Sequence, residues 1–315
     1  MKIFVAGATG AIGRQLVPQL VGTGHEVWGM TRSEAKRDLL RSLGARPVVA
    51  DALDPEAVGQ AVAQAEPDVV VHQLTALSDS LDIRHPERTF AVTNRLRTEG
   101  TDHLLAAARA AGARRFVAQS FAGWRWAPNG APPVLSEDDP VDLGIPEPLR
   151  SIVVAGLYLE RAVTQAEGIE GVVLRYGGFY GPGTSLAPGG EQAEAIRKRQ
   201  FPIVGDGEGI WSFIHVADAA AATVAAIERG RPGSVYQITD DTPLRVREFL
   251  PEIARRLGAK PPRRVPRWVG RLLAGKPVVV MMTEVKGASN AKARRELGWA
   301  PRYASIGEGL TAEAA

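Results

Sequence analysis

The chain contains no cysteine, which removes disulfides, cysteine-ligated zinc and thiol catalysis together. No apolar run approaches the length of a bilayer span, so no membrane-embedded class is expected. The histidines, at 25, 72, 85, 103 and 215, are scattered without H-x-x-x-H spacing, and no metal centre is expected. No G-x-x-x-x-G-K-[S/T] occurs, which excludes the phosphate-loop NTPases. Neither sign of charge dominates: the formal net charge is +3 over 315 residues. The modest basic group at Arg263, Arg264, Arg267 and Arg271 reads as a solvated face, so no nucleic-acid partner is expected. What remains, 45% hydrophobic and 23% charged, suits a large enzyme-sized core with two lobes.

The informative segment lies at the start. Met1–Val5 (M-K-I-F-V) reads as a strand and runs into Gly7-Ala8-Thr9-Gly10-Ala11-Ile12-Gly13. An apolar-periodic stretch follows at Ile12, Leu16, Val17 and Leu20, and a second strand at His25–Met30. Strand, glycine turn and helix in this order cradle a dinucleotide pyrophosphate, with the helix's first N–H groups holding the negative charge. Gly7, Thr9, Gly10, Ala11, Ile12 and Gly13 are therefore expected to bind cofactor. The loop stands too near the first residue to leave room for a signal peptide, and a cytoplasmic location is expected.

The first half alternates apolar strands with helical stretches. Strands are expected at Ile3–Ala6, Glu26–Met30, Arg46–Val49, Val69–Gln73, Arg115–Gln119 and Val172–Tyr176. Helices are expected at Ile12–Gly22, Glu34–Leu43, Pro55–Ala65, Thr89–Ala111 and Ile152–Glu167. Strands this apolar imply a parallel sheet covered on both faces, with ligands at the strands' carboxyl ends. The expected class is α/β: a Rossmann doubly wound parallel sheet with a smaller C-terminal substrate lobe. The dinucleotide domain would take residues 1–180 with a return segment at about 212–240, and the lobe 181–211 and 241–315. Gly123–Pro148 reads as a long loop, and loops of that length are usually functional or mobile.

Several segments in family order resemble the extended short-chain dehydrogenase/reductase superfamily, in its epimerase/dehydratase branch. They are G-A-T-G-A-I-G (7–13), A-D-A-L-D (50–54), V-V-H-Q-L-T (70–75), E-G-T-D-H-L-L-A-A-A (99–108), R-R-F-V-A-Q-S (114–120), L-R-Y-G-G-F-Y-G-P-G (174–183) and F-I-H-V-A-D (213–218). The resemblance implies a Ser/Thr–Tyr–Lys active site with the last two as Y-x-x-x-K-x-x-x-E on one helix. That motif is missing. With Glu160 as the trailing glutamate, Gly156 takes the lysine position and Ile152 the tyrosine position. On the fifth strand Ser120 falls one residue before the usual hydroxyl and Phe121 on it. Tyr158 has no lysine at the family spacing, and it lies roughly 200° round the helix from Gly156. The chain is thus expected to be an atypical member lacking the triad.

The second strand ends Met30-Thr31-Arg32-Ser33, with no acid at the turn that reads the ribose. Arg32, with Lys36, suits a 2′-phosphate, so NADP is expected rather than NAD. The resemblance places Asp51 and Ala52 at the adenine and Leu74 and Thr75 at the ribose and diphosphate. Gln119, at the end of the fifth strand, is taken as a further cofactor contact, and Tyr176, Gly177 and Gly178 as lying at the nicotinamide amide. Phe121, Trp124, Trp126, Phe179 and Trp211 are substrate-pocket candidates. Where sugar-nucleotide enzymes carry Arg-Asp, this chain has Trp211-Ser212, so stacking surface replaces charge and a small apolar or aromatic substrate is expected. Tyr180 and Ser120 are the catalytic candidates, with His72, Ser212 and His215 as further polar groups. The expected activity is NADP-dependent oxidoreduction of a carbonyl, alkene or alcohol. A redox-neutral isomerase, epimerase or cyclase and a non-enzymatic NADP sensor remain open. The resemblance also implies a homodimer, paired through the helices of Thr89–Ala111 and Ile152–Glu167.

Overall fold

Seven strands pair side by side, all parallel: β1 (Lys2–Ala6), β2 (Glu26–Thr31), β3 (Arg46–Val49), β4 (Val69–His72), β5 (Arg115–Phe121), β6 (Glu170–Tyr176) and β7 (Ser234–Ile238). Their order is β7-β6-β5-β4-β1-β2-β3, a Rossmann-like α/β fold. The structure is a computed structural model that describes residues 1–77, 86–123 and 130–312. The order reverses between β1 and β4, so their carboxyl ends flank the crevice where open α/β sheets take ligands.

Alternation along the strands feeds both faces. Ile3 and Val5 pack into one buried cluster with Leu16 and Leu20 of α1 (Ala11–Gly22) and Ala219 and Ala222 of α6 (Val216–Arg229). Phe4 and Ala6 pack into the other, with Val58 and Val62 of α2 (Pro55–Ala65), Leu104 of α4 (Glu99–Ala110) and Leu159 of α5 (Leu149–Thr164). Helix α2 begins where the sequence signals it. Asp54 accepts from the N–H groups of Glu56 and Ala57, and Pro55 takes the first turn, where its missing N–H costs nothing. A third cluster gathers Tyr180, Phe213, Phe249, Leu250, Ile253 and Ile306 beyond the sheet.

Two helical expectations change. The stretch Thr89–Ala111 is not one helix: α3 (Ala91–Arg97) and α4 are separated at Thr98, whose ψ of −85° leaves the helical region. The C-terminal part holds an unforeseen helix, Arg267–Thr283, which kinks at Gly275 with φ of 84°. Within the expected loop, Val134–Leu135 pairs parallel with Gly287–Ala288. Among the described residues no helix is long and apolar enough to cross a membrane.

Candidate active site

The loop after β1 is closed against its neighbours. Gly7 has φ of +92°, and a Cβ there would stand 2.6 Å from the carbonyl oxygen of Gln73. A Cβ on Gly13 would stand 2.5 Å from the backbone of Ala8. Only glycine lets the turn and the first turn of α1 approach this closely. Gly10 caps α1 with no side-chain bond, so no side chain covers the helix's leading N–H groups. These features fit the pyrophosphate of a dinucleotide.

Arg32, at the end of β2, is exposed and makes no ion pair among the described residues. Asp51 follows β3, where one of its oxygens accepts from the N–H of Leu53 and the rest of the side chain is open. Ala52 is buried, and its carbonyl meets the ring of His103. Leu74 and Thr75, past β4, and Gln119, on β5, are half-buried. The Tyr176 side chain belongs to the core: its hydroxyl meets Gln73 and Thr223, and burial pushes its pKa up to about 12. The N–H groups of Gly177 and Gly178 are spent on the carbonyls of Ile238 and Ser212. His72 is also committed. Its Nδ1 accepts from the N–H of Leu74 and its Nε2 faces the carbonyl of Leu96, and burial lowers its pKa to about 4.

A cleft opens beside the end of β5. Its polar lining is Ser120, Glu160, Arg175 and Arg97; Phe121, Val141, Ile152, Val153, Gly156 and Leu157 complete it. Ile152, Gly156 and Glu160 recur every fourth residue on α5 and so share one face. A Cβ on Gly156 would lie 3.9 Å from the Ser120 hydroxyl oxygen, so this helix position faces the serine. Ser120 donates to Glu160 Oε1 at 2.7 Å. Arg175 grips the same carboxylate with Nε at 2.7 Å and Nη2 at 2.6 Å. Burial alone would lower the Arg175 pKa, but the bonds and charge of Glu160 outweigh it and the pKa rises. The described lining contains no tyrosine and no lysine.

A model of the NAD dependent epimerase/dehydratase family matches residues 3–239. The chain belongs to that family. A 3-diazoavenalumate denitrifying reductase from a Streptomyces species is 48% identical over 315 residues, covering 99% of this chain and 100% of its own. A 4-hydroxy-2-methyl-3-oxo-4-farnesyl-3,4-dihydroquinoline-1-oxide ketoreductase from Stigmatella aurantiaca is 31% identical over 269 residues, covering 82% of this chain and 74% of its own. The dTDP-glucose 4,6-dehydratase of Streptomyces venezuelae, solved with NAD and TYD bound, superposes with a TM-score of 0.77 at 21% identity, covering 99% and 95% of the two chains. That last likeness shows the shared fold. The reductase relatives support an oxidoreductase of the epimerase/dehydratase family.

Within this epimerase/dehydratase member, the cleft gathers Ser120 and Phe121 and leaves other candidates elsewhere. Tyr180 is fully buried, donates to the carbonyl of Ser305, and presses edge-on against His215. Burial and the charges of Asp240 and Asp218 push its pKa far above the usual phenol range. Phe179 packs on Tyr176, with ring centroids 5.4 Å apart. Trp211 stacks among Phe213 and Phe249, and its indole N–H donates to the carbonyl of Met281. Tyr158 is 44% exposed and donates to Asp102. Trp124 and Trp126 lie outside the described residues. Sequence reasoning missed Arg97. The available signal was Glu160, since a glutamate facing a buried site needs cations nearby.

Proposed function

We propose that the chain is an NADP-dependent reductase of a small aromatic metabolite, that it works without the family's Tyr–Lys pair, and that its hydride acceptor is a diazo arene. The observation that carries this reading is the cleft lining, where Ile152 and Gly156 stand beside Ser120. A nicotinamide bound through the glycine cradle supplies a hydride. A ketone taking that hydride develops an alkoxide and needs a proton donor in reach. Ser120 is poorly placed as that donor, because its proton already points to Glu160. An aryl diazonium carries its positive charge beforehand. Hydride addition at the terminal nitrogen gives a neutral aryl diazene. Loss of dinitrogen then leaves the diazene hydrogen on the ring carbon, so atoms and charge balance with no external acid. The 48% relative is named for removing nitrogen from a diazo compound, which agrees with this chemistry.

The test is NADPH consumption with diazophenols set against aryl ketones and enones. The expected result is one NADPH oxidised per dinitrogen released, with the ketones untouched. Ketone reduction as fast as diazo reduction would overturn the reading.

NADP preference rests on Arg32, exposed at the ribose turn and without an ion pair among the described residues. Arg32→Ala should weaken NADPH by about 1–3 kcal/mol, the range of a charge-assisted contact, and NADH far less. Equal losses in titrations of the two cofactors would remove Arg32 from phosphate recognition. Assembly as a homodimer belongs to the same proposal. Val92 on α3 and Val154 on α5 are 38% and 45% exposed, apolar surface that a second copy would cover. Sedimentation should give a dimer, and a monomer stable at every concentration tested would reject it.

A further inference from the structure

Among the described residues, the cleft lining holds two arginines against one carboxylate. Glu160 is gripped at both oxygens by Arg175. Arg97 is left over. Its side chain makes no hydrogen bond among the described residues, although the residue is only 8% exposed and lines the cleft. Among the described residues, Glu160 is the carboxylate whose charge acts on it. His72, also close enough to feel Arg97, is held neutral by burial. Burial pulls the Arg97 guanidinium down to about 10, which still leaves it charged at neutral pH. In the same lining, Nη1 of Arg175 is buried with no partner among the described residues. A largely buried guanidinium without a charged bond has lost much of its hydration, and an anion entering the cleft would restore a partner. Phe121, Ile152, Val153 and Leu157 supply the same cleft with an apolar wall.

We propose that Arg97 binds an anionic oxygen, a phenolate or a carboxylate, on an aromatic substrate whose ring lies against this wall. The proposal rests on the reading of the cleft as the reductase's substrate site, and it makes Arg97 a specificity-determining residue of that site. The charge-assisted bond would select ionised aromatic acids over their neutral ethers and esters.

The test needs no turnover, so its outcome is separable from that of the diazo assay. Protein saturated with NADP⁺ is titrated with 4-nitrophenolate against 4-nitroanisole, and with benzoate against methyl benzoate, at a pH where both acids are ionised. At least one anion should bind about tenfold or more tightly than its neutral partner, and the pair that shows it tells phenolate from carboxylate. Arg97→Met keeps the apolar stem and removes the charge. It should erase the preference while leaving the melting temperature unchanged or higher, the reverse of what a structural arginine would do. Equal binding of anion and neutral partner by the unmodified protein overturns the proposal, and so does a preference that survives in Arg97→Met. An Arg97→Met protein that does not fold also overturns it, because Arg97 would then be structural.

Discussion

Glu160→Ala is expected to lose about 3–5 kcal/mol of stability, the cost of stranding a buried charge by removing its partner. The side chains of Arg175 and Glu160 are 9% and 10% exposed, so water cannot replace the lost carboxylate. Among the described residues three bonds end on the Glu160 carboxylate: two from Arg175 and one from Ser120. Its removal would leave two guanidinium groups, Arg175 and Arg97, in one cleft lining without the carboxylate whose charge acts on both. Ser120→Ala removes one neutral donor from a carboxylate that Arg175 still satisfies, and should cost about 1 kcal/mol. Urea denaturation checks both, read as a shift of midpoint at constant slope. If Glu160→Ala cost no more than Ser120→Ala, the cluster would not be the buried ion pair described. Glu160→Gln, which keeps the shape and an acceptor for Ser120, should fall between the two.

The sheet was legible because its central strands are buried on both faces and its strands are bounded by turn chemistry. Val69–His72 is a continuous apolar run before a loop, and such runs have few other readings. The glycine loop was legible for a related reason: Gly7 and Gly13 stand where any side chain would strike backbone. The break at Thr98 was not, since no proline marks it, Gly100 sits inside α4 and not at the break, and apolar spacing continues on both sides. In the C-terminal part, Gly275 and Pro277 read as turn residues, yet they sit inside Arg267–Thr283 as a kink. At the cleft, the α5 face carrying Ile152, Gly156 and Glu160 followed from the family's Y-x-x-x-K-x-x-x-E pattern registered on Glu160. Arg97 did not, because an arginine at the end of a short helix ordinarily points to water. Its burial depends on how α3 meets α5, which no local pattern encodes.

Asp240→Asn is expected to stabilise the protein above neutral pH and to flatten its pH dependence. Asp240 follows β7 and is 1% exposed. One oxygen accepts from the N–H of Thr242, while Oδ2 has no partner. Burial, aided by the charges of Asp241 and Asp218, raises its pKa to about 8, and backbone bonds only partly oppose the rise. An unfolded aspartate titrates near 4, so between roughly pH 4 and pH 8 the folded state binds more protons than the unfolded one. Stability from this group is therefore fullest at or below about pH 4 and declines as pH rises, until the folded carboxyl also ionises near pH 8. That slope is opposite to the usual one for a paired carboxylate. Asparagine mimics the protonated acid, keeping the acceptor for Thr242 and carrying no charge. The variant should match the unmodified protein near about pH 4 and exceed it by a growing margin up to about pH 8.5, where the difference is on the order of a few kcal/mol. Melting temperatures of both proteins across that range decide the matter. Parallel curves would mean that Asp240 is ionised in the folded protein and that its unpartnered oxygen is reached by water.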